Sequence, residues 1–197
     1  REKIMQDVLK MVNIQPDYLL RYPHEFSGGQ RQRLCIARAL EVRPEVLICD
    51  EPVSALDVSI QAQVLNLMKK IQKDLNLTYL FIAHDLSVVQ YMSNRIVVMY
   101  LGKIVEIADS RSLYDTPLHP YAQALLSAIP VPKIHQEKKR IVLQGEVPSP
   151  INKPSGCAFH PRCPHCMDIC KKVDPALVHY KDSSHMAACH LYGKQEA

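Results

Sequence analysis

Two short apolar runs, each ending in polar residues, constrain this chain more than any other feature. One is Glu45-Val46-Leu47-Ile48-Cys49-Asp50-Glu51-Pro52 and the other is Tyr79-Leu80-Phe81-Ile82-Ala83-His84-Asp85. Runs of this length, apolar at odd and even positions alike, predict strands buried on both faces, as in a parallel sheet. Between them Ile60, Val64, Leu67, Met68, Ile71 and Leu75 recur at helical spacing, which predicts a helix packed on the core. Asp57 or Ser59 is placed to cap it. A strand–helix–strand unit of this kind implies an α/β fold. It sets Asp50, Glu51 and His84 just past strand carboxyl ends, where open sheets bind their ligands. Carboxylate oxygens there suit a hard cation, and a carboxylate within reach of a water can serve as its general base.

Upstream, Phe26-Ser27-Gly28-Gly29-Gln30-Arg31-Gln32-Arg33 opens into a helix-favouring run over residues 34–40. Ser27 followed by Gln30 fits the capping box, in which two side chains satisfy free amides at a helix start. The glycines allow another group close to the backbone. Free amides at the positive end of a helix dipole form a seat for phosphate.

These strings together resemble the motifs of the ABC-type ATPases. The resemblance assigns Ser27, Gly28, Gly29 and Gln30 to the signature that clasps ATP held by a neighbouring subunit. It assigns Asp50 to the Mg²⁺ shell, Glu51 to polarising the attacking water, Asp57 to the loop lying across the dimer interface, and His84 to contact with the terminal phosphate. The family's glycine-rich P-loop, G-x-x-x-x-G-K-[ST], is absent. The six glycines are Gly28, Gly29, Gly102, Gly145, Gly156 and Gly193, and none has that spacing. The expected fold is therefore the carboxyl-terminal part of a longer P-loop ATPase, a RecA-like parallel sheet with helices. Alone, it is expected to expose strand edges, to aggregate and to hydrolyse ATP negligibly.

Three zones are expected along the chain. Residues 1–45 carry a first helix over about 2–12, a turn near Pro16 and the signature helix. Residues 46–108 carry the partial catalytic core: a helix over 86–92, then strands over 95–100 and 103–107 around Leu101-Gly102. Residues 109–197 form an irregular extension, with a short helix near Pro120, a polar linker over 136–140, and Pro148, Pro150, Pro154, Pro161 and Pro164 barring long elements. The net charge of +4 has interspersed signs, which gives no argument for nucleic acid. No apolar run approaches the ~18 residues of a membrane helix.

Five of the seven cysteines, Cys157, Cys163, Cys166, Cys170 and Cys189, crowd into this extension. Cys35 and Cys49 stand apart and are expected to be small buried residues. Dense cysteine in a proline-rich segment suggests metal ligation, by an iron–sulfur cluster or by tetrahedral Zn²⁺ using Cys163 and Cys166 with two further ligands.

The extension also resembles the carboxyl-terminal region of the ATPases of oligopeptide and dipeptide ABC importers. The matching strings include Pro117-Leu118-His119-Pro120-Tyr121, Gly145-Glu146-Val147-Pro148-Ser149-Pro150 and Gly156-Cys157-Ala158-Phe159-His160-Pro161-Arg162-Cys163-Pro164. The resemblance implies that Cys157, Cys163, Cys170 and Cys189 hold a [4Fe–4S] cluster. Cys166 departs from the pattern and keeps Zn²⁺ open. It also implies a peripheral protein on the cytoplasmic face of the membrane. Its partners would be a second ATPase subunit, identical or paralogous, two transmembrane permeases and, indirectly, a solute-binding protein. A nickel importer of the same branch, or a metal-holding regulatory module with an inactive ATPase remnant, is the alternative.

Overall fold

In the computed structural model, which describes residues 2–129, 140–181 and 183–192, the chain divides into two units, one ending at Met92 and the other starting at Ser93. The expected linker over 136–140 lies outside the described residues except for Arg140.

The first unit runs α1 (Glu2–Met11), α2 (Gly28–Leu40), β1 (Val46–Asp50), α3 (Val58–Leu75), β2 (Thr78–Ile82) and α4 (Leu86–Met92). Two 3₁₀ turns, Pro16–Leu20 and Pro23–Glu25, join α1 to α2, each starting on proline, whose fixed φ suits a first helical position. The core is one cluster: Val8 and Leu9 of α1 with Val12 just past its end, Ile36, Ala37 and Leu40 of α2, and Val64, Leu65, Leu67, Met68 and Ile71 of α3. Leu75, the last residue of the predicted stripe, is exposed. Asn76 ends α3 at φ +52°, a left-handed position that asparagine tolerates better than most residues.

β1 and β2 pair in parallel, Val46 opposite Thr78 through Asp50 opposite Ile82. Leu47, Cys49, Tyr79 and Phe81 join the helical core. The other face is open: Val46, Ile48, Leu80 and Ile82 are between 47 and 65% exposed. Burial on both faces, expected from the run of apolar residues, is therefore corrected to burial on one. The pleat sends alternate side chains to opposite faces, and the helices cover only the Leu47–Cys49 side. The expectation for Cys35 is corrected too. It lies on the outer side of α2 and is exposed, whereas Cys49 is buried.

The second unit starts from β3 (Arg95–Tyr100) and β4 (Lys103–Asp109), an antiparallel hairpin closed by Leu101 and Gly102, both at positive φ. Two-residue hairpin loops use that geometry because its twist matches the strands. α5 (Ser110–Asp115) and α6 (Pro120–Ser127) follow. The extension has little regular structure. Its two-residue strands β5 (Val178–His179) and β6 (Met186–Ala187) nonetheless join the hairpin in the order β3-β4-β6-β5. An aromatic cluster of Tyr100, Tyr121, Phe159 and His119, with ring centroids 4.8–5.5 Å apart, packs within this unit.

Candidate functional site

Ser27 sits in extended backbone ahead of α2. Its Oγ accepts the Gln30 N–H at 3.3 Å, and Gln30 Oε1 accepts the Ser27 N–H at 3.0 Å. The first amides of the helix, on Gly28 and Gly29, have no intrahelical acceptor. Gly29 has a second reason to be glycine. A Cβ there would stand 2.4 Å from Ile60 Cγ2 in α3, and a Cβ on Gly28 would touch Leu56 at 3.5 Å. The starts of α2 and α3 thus meet with no room for a side chain on Gly29. Arg33 donates to Gln63 Oε1 at 3.2 Å one turn along. Asp57 caps α3, accepting the Ile60 N–H at 2.9 Å.

Asp50 is the last residue of β1. Glu51 then takes φ +44°, a left-handed conformation that costs a residue with a Cβ about 1–2 kcal/mol. Its N–H donates to Ile82 O at 2.9 Å, and its carbonyl accepts the Ser54 N–H at 3.3 Å and the Ser54 hydroxyl at 3.1 Å. In this conformation Glu51 Oε1 stands 3.0 Å from His84 Nδ1, with both side chains about half or more exposed. Asp85 caps α4 through the Ser87 N–H at 2.8 Å, fixing the backbone beside His84. Glu51, Ser54, Gln61 and His84 line a shallow cleft. The arrangement offers a carboxylate that can take a proton from water and an imidazole that can donate to an oxyanion. Among the described residues, no hydrogen bond joins Ser27–Gln30 to Glu51 or His84. The structure gathers Glu51 with His84 in one place, and Ser27–Gln30 with Leu56 and Ile60 in another.

In the second unit, Gly156 at φ +66° lies against the backbone of the Cys170 turn, where a Cβ would come within 2.5 Å of Cys170 O. Cys157 N–H donates to that same carbonyl at 2.8 Å. Cys157, Cys163, Cys170 and Cys189 are all wholly or partly buried, and none forms a disulfide. Burial pushes the Cys189 thiol up to about 11, and the charges that Cys163, Cys157 and Cys170 could carry add to that rise. Burial likewise raises Cys163, with Cys157 and Cys170 contributing. The four thiols therefore lie within electrostatic reach of one another. Cys166 is exposed. Among the described residues, no three His, Cys, Asp or Glu side chains stand close enough to share a metal ion. The donor chemistry fits an all-thiolate group.

Sequence reasoning missed Glu106. This carboxylate is wholly buried. It accepts the Leu118 and His119 N–H groups, both at 2.8 Å, and faces His185 Nε2 at 2.6 Å. The available signal was a single acidic residue inside the apolar run Ile104-Val105-Glu106-Ile107. His119, whose Nδ1 accepts the Tyr121 N–H at 3.1 Å, is pushed by burial down to about 4.

Two family models match the chain: ABC transporter over residues 1–54, and the oligopeptide/dipeptide transporter C-terminal region over residues 105–170. The oligopeptide transport ATP-binding protein AppF of Bacillus subtilis (strain 168) is 57% identical over 196 residues, covering 98% of this chain and 59% of AppF. The chain thus spans about three fifths of that relative's length. Among solved structures, cbiO1 from Clostridium perfringens, part of the ABC transporter complex cbiONQ, matches with a TM-score of 0.52. It is 30% identical over 58% of this chain and 45% of its own. An ATP-binding cassette of an ABC transporter in its ADP conformation, MJ1267, matches with a TM-score of 0.55 over 64% of this chain and 50% of its own. At 21% identity that likeness concerns the fold alone. Among the described residues, no helix is long and apolar enough to cross a membrane.

Proposed function

We propose that this chain, which matches the ABC transporter model over residues 1–54 and the oligopeptide/dipeptide transporter C-terminal region over 105–170 and is 57% identical to AppF, belongs to that branch of the ABC transporter ATPases and forms part of an ATP-hydrolysing subunit that energises peptide import. The observation that carries the reading is the 3.0 Å approach of Glu51 to His84 at the ends of two paired parallel strands.

In this reading two ATPase subunits, identical or paralogous, face each other head to tail. Each ATP lies between the P-loop of one subunit and Ser27, Gly28, Gly29 and Gln30 of the other. The Gly28 and Gly29 amides, at the positive end of α2, meet the terminal phosphate. Glu51 takes the proton of the attacking water. Asp50 would supply oxygen to the Mg²⁺ shell. His84, held by Glu51, donates to a terminal phosphate oxygen, and Asp57 lies at the subunit interface. The closing and reopening of the pair drives two membrane-spanning permeases, to which the subunit binds at the cytoplasmic face. A solute-binding protein delivers the cargo, and the name of the relative AppF supports a peptide as that cargo.

The second unit is read as a metal-holding extension. Cys157, Cys163, Cys170 and Cys189 would ligate a [4Fe–4S] cluster, whose contribution when bound is a cross-link among turns that share little regular structure. The density of wholly or partly buried free thiols in this short segment supports this.

The hydrolytic roles are tested in an ATPase of the relatives' full length carrying this sequence. Glu51→Gln is expected to retain ATP binding while turnover falls roughly 10²–10⁴-fold, the range for a positioned base. Unchanged turnover removes Glu51 from that role. Anaerobic purification tests the extension: a brown, iron-containing protein supports the cluster, and a colourless zinc-containing one supports Zn²⁺ in its place.

A further inference from the structure

We infer that Glu106 and His185 form a buried staple that positions Cys189 against Cys157, Cys163 and Cys170. The inference deepens the cluster reading above and rests on it.

Glu106 lies mid-strand in β4 with no solvent contact. A carboxylate offers only acceptors, so each neighbour must bring a hydrogen. The Leu118 and His119 amides bring two, and His185 Nε2 faces the same Oε1 that binds Leu118. The first two partners come from the turn before α6. The third comes from the extension, adjacent to β6, and is itself buried.

The consequence lies next door. β6 adds to β4 through only two residue pairs, Glu106 with Ala187 and Ile107 with Met186. One further backbone bond, Ala188 N–H to Val105 O at 2.9 Å, extends the ladder. A strand this short has little holding power of its own. Cys189 follows immediately. The other three cysteines sit in turns tied to one another through Cys157, Gly156 and Cys170. Cys189 lies outside those turns, just after β6; Glu106–His185 is the buried polar link on its segment, and His190 Nε2 also meets Val173 O, beside the Cys170 turn, at 2.9 Å in an exposed contact. The exposed pair Lys103–Asp174 and the Ser184 hydroxyl bond to Asp109 at 3.0 Å lie at the periphery, where solvent competes for such contacts.

The experiment uses the full-length ATPase, purified anaerobically, with three readouts: alkylation of each cysteine by mass spectrometry after iron removal, iron content with visible absorption, and amide exchange over 183–192. Glu106→Gln and His185→Leu are expected to speed Cys189 alkylation at least about tenfold relative to Cys49, as local opening would, and to halve the iron content or more. His185→Gln, which returns an N–H at the Nε2 position, is expected to restore both, and Lys103→Met to leave both unchanged. Three results would overturn the staple: wild-type alkylation of Cys189 in Glu106→Gln and His185→Leu; acceleration of all seven cysteines together, which marks general destabilisation; or equal damage from His185→Gln and His185→Leu. If the unsubstituted protein binds no iron, the cluster reading fails alone, and Cys189 alkylation still decides the staple.

Discussion

Among the described residues, each unit contains one glutamate–histidine pair, and the two are built in opposite ways. Glu51 and His84 approach to 3.0 Å with 49 and 71% of their side chains exposed. Glu106 and His185 approach to 2.6 Å with 0 and 8% exposed. The first carboxylate sits on a strained turn with about half of its side chain exposed, which suits the proposed encounter with water. The second accepts hydrogens from three groups in two other segments and is wholly buried, closed to any substrate. In the proposed reading the same two side chains serve chemistry in one setting and assembly in the other, and burial with fixed donors around the carboxylate makes the difference.

The sharpest way to break this contrast is to remove one charge from each pair. Glu51→Gln is expected to cost the roughly 10²–10⁴ in turnover given above and to leave stability within about 0.5 kcal/mol, as for exposed sites generally. Glu106→Gln is expected to cost about 3 kcal/mol, as for a buried pair left with one partner, measured by denaturation or by exchange over the second unit. If the stability losses came out equal, the distinction would fall.

Acid provides the next test. Burial holds His119 neutral in the folded chain to about pH 4, against an ordinary value of 6.5. Between those limits the unfolded chain binds the proton and the folded chain does not. Stability from this group is therefore complete above about pH 6.5 and falls as pH drops towards 4, by up to about 1.4 kcal/mol per unit. The histidines of the first unit, His24 and His84, are exposed. Amide exchange across this range should loosen the second unit first, and the reverse order would contradict the burial argument.

Two smaller effects concern the first unit. Gly29→Ala forces a methyl against Ile60 and is expected to cost about 1–3 kcal/mol. Ile60→Ala in the same chain should recover part of it, and a purely additive double mutant would refute the contact. Glu51→Gly relieves the left-handed backbone and is expected to raise unfolding free energy by about 1 kcal/mol while abolishing turnover. A loss of stability would show that the carboxylate, not the turn, holds His84 in place.

The features legible in the sequence were those encoded locally. Ser27 and Gln30 are three residues apart, so their reciprocal cap followed from spacing alone. The stripe from Ile60 to Ile71 and the cap at Asp57 marked α3 for the same reason. Properties set by tertiary neighbours stayed hidden. The run from Val46 to Asp50 could not reveal that helices cover only one of its faces. Cys35 looked like a core residue because nothing local marks which side of α2 faces out. Glu106 and His185 are 79 positions apart, and neither has a companion nearby to announce the pairing. The left-handed turn at Glu51 carries no glycine or asparagine to signal it.

The missing side chain on Gly29 has a mechanical consequence. Where two helix starts touch through backbone on one side and a stiff β-branched residue on the other, there is no soft layer between them to absorb a displacement. A shift of the amides that open α2 would therefore press first on Ile60 and Leu56, at the start of α3.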